Sequence, residues 1–174
     1  MSANTRRPVR YPESRPGWSW DRCKAALAEP AHGAAGDVSH RPIMLEEVLR
    51  CLQPAPGHLA VDCTLGGGSH AQAILACVQP RGRLIGVDAD AIELTRTTAR
   101  LRTAGFGSES FVAHAANFTE LPRVLANEGM PRADVILADL GVSSMQMDDP
   151  ARGFNYKRPG PLDMRMDTSR GEPA

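Results

Sequence analysis

Apolar positions along the chain follow two periods. Short apolar runs bounded by Gly, Pro and charged residues recur at 59–62 (LAVD), 83–88 (RLIGVD), 110–113 (SFVA) and 133–140 (ADVILADL). Each predicts a strand, and the continuous run at 133–140 is what a parallel strand covered on both faces shows. Between them, 69–78, 91–104 and 119–128 suit helices, with Gly105 and Gly129 closing the second and third. Another helix is predicted over 40–52 (HRPIMLEEVLRCL), where Pro42 suits the first turn. Met44, Leu45, Val48, Leu49 and Leu52 share one face of it. Strand and helix alternating in this way predict an α/β fold with a parallel sheet, right-handed crossovers and ligands at the strands' carboxyl ends.

The first strand ends in Asp62 and leads through Gly66, Gly67 and Gly68 into a helix from Ser69. Such a loop lets a ligand lie against bare main chain. Two ligands suit it. Gly66, Gly68 and Ala71 satisfy G-x-G-x-x-[GA], and Asp88 follows 20 residues after Gly68, where a dinucleotide's ribose-binding acid belongs. S-adenosylmethionine (SAM) also has a ribose but brings an ammonium and a sulfonium in place of phosphates. Asp62 at the strand end would repel a pyrophosphate and attract those cations, which favours SAM. Asp62, Asp88 and Asp139 all stand at strand ends. One such acid reads as a helix cap, whereas three converging acids suggest a cationic or hydroxyl-rich ligand. Asn117 and Phe118 lie just past the third strand, where Phe118 either covers an adenine or belongs to the core.

After the fourth strand, Gly141, Ser143 and Ser144 form a polar loop at the same rim. An exocyclic base amine is a poor nucleophile, so its methylation requires alignment and a proton or hydrogen-bond acceptor. Asp139 is the candidate acceptor and the Ser143 and Ser144 hydroxyls are candidate orienters; a simple turn is the other reading of the serines.

Both ends carry charge. Residues 1–24 hold six Lys/Arg against Glu13 and Asp21, with Tyr11, Trp18 and Trp20 among them. Residues 1–39 are therefore expected to be a flexible basic arm, either touching RNA or simply solvated, and 40–174 the folded domain. A mitochondrial presequence is disfavoured by the acids and the missing amphipathic period. In 151–174, Arg152, Lys157, Arg158, Arg165 and Arg170 surround Phe154 and Tyr156. This reads as an RNA-contacting edge or as an ion-paired loop, Asp163 with Arg165 and Asp167 with Arg170. The total of 20 Lys/Arg against 20 Asp/Glu leaves the net charge at zero, so only local patches bear on nucleic acid. No run of 18 apolar residues and no apolar leader appear, which predicts no membrane span or signal peptide. Four cysteines without a C-x-x-C pair read as reduced thiols in a cytoplasmic protein, with no metal site.

With HRPIMLEEVL, VDCTLGGGSHA, GVDAD, NFTELP, ADLGVSSMQMDDPARGF and GPLDMRMD all present, the chain resembles the MraW family, ribosomal RNA small subunit methyltransferase H, from His40 to about Gly171. The resemblance implies a Rossmann-like SAM-dependent methyltransferase fold and methylation of N4 of a cytidine in 16S rRNA of the 30S subunit. It implies SAM contacts at Gly68, Ser69, His70, Asp88, Phe118, Asp139 and Gln146, of which His70 and Gln146 come from the resemblance alone. The family usually has Gly where Ser69 stands, and Asp-Gly-Pro where this chain has Pro159-Gly160-Pro161. Its members also continue well beyond this chain's length. The expectation is therefore a truncated product, a fragment or half of a split protein, with strands in order 3-2-1-4. The apolar fourth strand then lies at an open edge that a second copy or a completing partner chain would cover. Three functions follow: an rRNA cytosine-N4 methyltransferase, a SAM-binding half-domain without turnover, or a nicotinamide-dependent oxidoreductase.

Overall fold

A computed structural model of the chain describes residues 11–28 and 42–173. Its elements run α1 Trp20–Ala28, α2 Leu45–Leu52, β1 Leu59–Asp62, α3 Ser69–Val78, β2 Arg83–Asp88, α4 Ala91–Thr103, β3 Phe111–Ala115, α5 Leu121–Asn127, β4 Val135–Leu137 and α6 Ser144–Asp148. Short 3-10 turns at Phe118–Glu120 and Pro150–Arg152 precede α5 and follow α6. The strands form one parallel sheet in the expected order β3-β2-β1-β4. In its register, Val61 lies between Ile85 and Ile136, so β1 and β2 are central.

The alternation of side chains splits the core in two. Ala60, Leu84, Phe111, Val135 and Leu137 face a layer that includes Leu49 of α2, Ile74 and Leu75 of α3 and Leu101 of α4. Val61, Ile85 and Val87 face Val124 of α5. Helix ends are defined locally. Asp90 accepts from the N–H groups of Ile92 and Glu93 at the start of α4, and Arg100 and Arg102 sit in its last turn.

Several boundaries differ from expectation. The second helix begins at Leu45 because Met44 takes a left-handed conformation, φ 54°. Pro42 therefore precedes the helix, and residues 40 and 41 lie outside the described residues. The helix expected over 119–128 is a 3-10 turn followed by α5.

The fourth strand holds only three residues. Ile136, Ala138 and Leu140 are exposed, so the run 133–140 is not buried on both faces. Ile136 instead lines an open apolar groove of about 440 Å³ with Leu121, Leu125 and Met130.

The flexible arm expected over 1–39 does not hold for 11–28. Cys23 is 2% exposed, and Trp18 and Trp20 pack on the core. The buried Gln53 amide donates to the Pro12 and Glu13 carbonyls and accepts from the Arg15 N–H, while the Arg50 guanidinium lies 4.3 Å from the Trp20 ring centre. Of the three aromatics in that arm, Trp18 and Trp20 are thus spent on the fold, while Tyr11 is exposed. The rest of the proposed arm, 1–10 and 29–39, lies outside the described residues.

Candidate functional site

At the carboxyl ends of the strands, backbone and acids are cross-linked by short polar contacts. Gly68 adopts φ 69°, and a Cβ there would come within 2.5 Å of Thr97 Cγ2, so the turn admits no side chain. The carbonyls of Gly66 and Gly67 turn away from the rim and accept from Thr97 Oγ1 and Arg100 Nη2 of α4. The Gly66 N–H points the other way and donates to Asp88 Oδ2 at 2.6 Å. Asp88 Oδ1 accepts from the Asp90 N–H at 2.8 Å. The Asp88 carboxylate is half-buried and held at both oxygens, each with a lone pair left for a ligand hydroxyl.

Asp62 and Asp139 are tied together by Thr64. Its N–H donates to Asp62 Oδ1 at 3.1 Å, and its hydroxyl accepts from the Asp139 N–H at 2.8 Å. Asp62 is 1% exposed, which places it beneath the rim. Burial pushes its carboxyl up to about 6; the charge of Asp88 adds to this, while the Thr64 hydrogen bonds and His70 oppose it. Asp139 lies two residues past β4 with a half-exposed side chain. His70, in the first turn of α3, has Nδ1 3.7 Å from Asp139 Oδ2 and Nε2 3.1 Å from the Ile43 carbonyl.

The remaining expected residues divide. Ser69 opens α3, and Phe118 stands 46% exposed past β3, on the flank where an adenine could stack. The Ser143 hydroxyl has one lone pair engaged by the fold and keeps its proton to donate. It caps α6, accepting from the Gln146 N–H, while Gln146 Oε1 accepts from the Ser143 N–H. The Ser144 side chain lies outside the described residues. Gln146 is 7% exposed and donates through Nε2 to Asp90 Oδ2 at 3.0 Å. Phe154, read as an RNA-stacking aromatic, is buried. Tyr156, Lys157 and Arg158 are exposed. Asp163 binds Arg165 through both oxygens, at 2.8 and 2.6 Å, and Asp167 lies 3.6 Å from Arg170, as in the ion-paired reading of the tail.

Thr64 and Asp90 were missed from sequence, and Arg152, read there only among the charges of the tail, turns out to be buried. Asp90 is 2% exposed, and Arg152 Nη1 donates to its Oδ2 at 2.6 Å. Burial alone would raise the Asp90 carboxyl, but the bonds from Gln146, Arg152 and the Glu93 N–H outweigh it and hold the carboxyl below the usual range.

A parallel sheet with a glycine loop after its first strand and acids at three strand ends defines a Rossmann-like nucleotide-binding domain. The solved structure of PH0851 shares the fold, with TM-score 0.51 and 18% identity over 62% of this chain and 23% of that one. Residues 37–174 match the MraW methylase family, and the chain belongs to that family. The chain is 50% identical over 130 residues to the ribosomal RNA small subunit methyltransferase H of Geobacter sulfurreducens, covering 75% of this chain and 41% of the relative. It is 38% identical over 162 residues to ribosomal RNA small subunit methyltransferase H 1 of Lachnoclostridium phytofermentans, covering 93% and 43%. The chain thus spans about two-fifths of the length of these curated relatives. Family and architecture together give it the Rossmann-like fold of SAM-dependent methyltransferases. No helix among the described residues is long and apolar enough to cross a membrane.

Proposed function

We propose that this chain carries the cofactor half of a cytoplasmic SAM-dependent methyltransferase that acts on N4 of a cytidine in small-subunit rRNA. The observation that carries this reading is the acid rim, with Asp62 beneath, Asp88 at the glycine loop and Asp139 half-exposed beside them. The residues suit the cofactor. Asp88 offers acceptors for a ribose diol, Phe118 a face for adenine, and the carboxylates a negative field for an ammonium and a sulfonium. The relatives' printed names supply small-subunit rRNA as the substrate class.

When bound, SAM supplies an electrophilic methyl group whose transfer leaves a neutral thioether. The chain's residues do the rest. Asp139, its main chain fixed by Thr64, accepts a hydrogen bond from the N4 amine, stabilises the positive charge that builds on that nitrogen as the C–N bond forms, and takes the proton the nitrogen releases. His70 sits behind Asp139 and limits its side-chain freedom. Tyr156, Lys157 and Arg158 project from the adjoining loop, where backbone phosphates and unstacked bases would meet them.

The direct test is a thermal shift with SAM and with NAD, followed by calorimetry. A larger shift with NAD than with SAM would remove the methyltransferase reading and restore the oxidoreductase. Replacing Asp88 by Ala is expected to weaken SAM by about 1.5–3 kcal/mol, the worth of hydrogen bonds to a charged acceptor; an unchanged dissociation constant contradicts the placement. Asp139→Asn is expected to lower the rate of methyl transfer from labelled SAM to small-subunit rRNA even at saturating SAM. An unchanged rate removes its role.

A second reading is favoured by the exposed Ile136 on the edge strand β4. In it the domain binds SAM but turns over only when a second copy or a partner chain covers that edge. SAM binding with methyl transfer that rises steeply with protein concentration selects the second copy, and SAM binding without transfer at any concentration selects the partner chain.

A further inference from the structure

Asp90 and Arg152 take no part in the rim chemistry above, yet they form the most buried ion pair among the described residues, at 2% and 9% side-chain exposure. The pair connects two regions. On one side the Asp90 N–H donates to Asp88 Oδ1, and Asp90 Oδ1 caps α4. On the other, Asp90 Oδ2 receives Gln146 of α6 and Arg152, whose Nη2 donates to the carbonyls of Arg165 and Met166 at 3.3 and 3.1 Å. One carboxylate thereby fastens α6 and the loop that exposes Tyr156, Lys157 and Arg158 to a position two residues past the proposed cofactor acid, Asp88. A second contact runs in parallel: Met145 Cε sits 3.1 Å from where a Cβ on Gly67 would be, so α6 rests on the glycine loop itself.

We infer that Asp90 and Arg152 are positioning residues that couple occupancy of the cofactor rim to docking of segment 143–166. The inference rests on the SAM reading of the rim. With the segment docked, the Asp90 main chain is fixed, Asp88 is held for a diol, and Met145 covers Gly67. Undocking removes both restraints. A ligand that binds the docked form better shifts the protein toward it, and docking must tighten that ligand by the same factor. The loop that would meet RNA is then held more firmly when cofactor is in place, which favours SAM as the first ligand and RNA as the second.

The test compares the wild type, Arg152→Lys and the double variant Asp90→Asn/Arg152→Gln. The double variant removes both charges, so neither is left buried and unpaired. SAM affinity is read by calorimetry, and docking by the rate of tryptic cleavage at the Lys157–Arg158 bond with and without SAM. Cleavage after the exposed Arg132 on the opposite side of β4 serves as internal control. In the wild type, saturating SAM is expected to slow cleavage at Lys157 about tenfold, a typical coupling, and to leave Arg132 unaffected. The double variant is expected to bind SAM about tenfold more weakly and to lose the protection. Arg152→Lys, which keeps the charge beside Asp90, is expected to recover most of both.

Full SAM affinity in a folded double variant, or a lysine variant no better than it, would overturn the coupling. Should the double variant fail to fold, the wild type decides: SAM binding without protection at Lys157 overturns the coupling and leaves the SAM reading standing. A wild type that binds no SAM overturns both.

Discussion

Arg152→Ala is expected to lower the free energy of unfolding by about 3–5 kcal/mol, because it strands the Asp90 carboxylate in a site that is 2% exposed. The comparison within the same tail fixes the scale. Arg170 and Asp167 also form an ion pair, but at 80% and 35% exposure water screens their contact, and its loss should leave the stability near that of the wild type. Arg152 in addition satisfies two backbone carbonyls, which its loss would leave for water to fill. Urea denaturation at neutral pH checks this: the midpoint should fall with the slope unchanged. The pH dependence has a definite sign. The Asp90 carboxyl titrates below its usual range in the folded protein, so its contribution is fully present above the unfolded carboxylate value. It is lost as pH falls through the lower folded value. Wild-type stability should therefore decline on acidification through that window, and the Asp90→Asn/Arg152→Gln protein should decline less. An unchanged midpoint for Arg152→Ala would mean the pair is open in solution.

The central sheet was legible because its strands announce themselves twice, by apolar runs and by the residue type that ends them. Asp62 and Asp88 each close a run and each begin a polar loop, and the structure puts both at the ends of β1 and β2. Asp90 was readable in principle. Asp90-Ala-Ile-Glu93 has the spacing of a helix N-terminus, an acid followed three residues later by Glu. Its partner was not, since Arg152 lies 62 residues away and no local pattern links them. Phe154 misled for the same reason. An aromatic between charges reads as a stacking surface, but here the charge beside it, Arg152, is itself buried and covers the ring. The run 133–140 overestimated β4 because residue type does not report which apolar side chains have a covering layer; Ile136 and Leu140 have none. Residues 11–19 show no period because they form neither helix nor strand; Pro12, Glu13 and Arg15 are held by backbone bonds to one side chain, Gln53.

The second large effect is a gain in stability at the expense of the proposed function. Asp62→Asn is expected to stabilise the unliganded protein at pH 7.5 by about 1–3 kcal/mol. The Asp62 carboxyl is raised from 3.8 to about 6 by burial, a shift that corresponds to about 3 kcal/mol of penalty on the ionised folded form. The folded protein holds this proton more tightly than the unfolded chain. Wild-type stability contributed by this group therefore falls as pH rises from about 4 to about 6 and is constant above. An amide keeps an oxygen for the Thr64 N–H and removes the ionisation. The cost falls on the ligand. A carboxylate sealed under the rim stabilises nothing in the apo protein, but it presents an almost unscreened negative charge to a cation placed above it. SAM affinity in the wild type should therefore weaken as pH drops through about 6, and in Asp62→Asn it should be at least about tenfold lower and flat over the same range. S-Adenosylhomocysteine separates charge from shape, since it keeps the ribose, adenine and ammonium but lacks the sulfonium. If Asp62 senses the sulfonium, the substitution weakens SAM more than S-adenosylhomocysteine. Equal losses for the two would assign Asp62 to the ammonium or to the fold, and no loss for either would leave its burial without a functional reason.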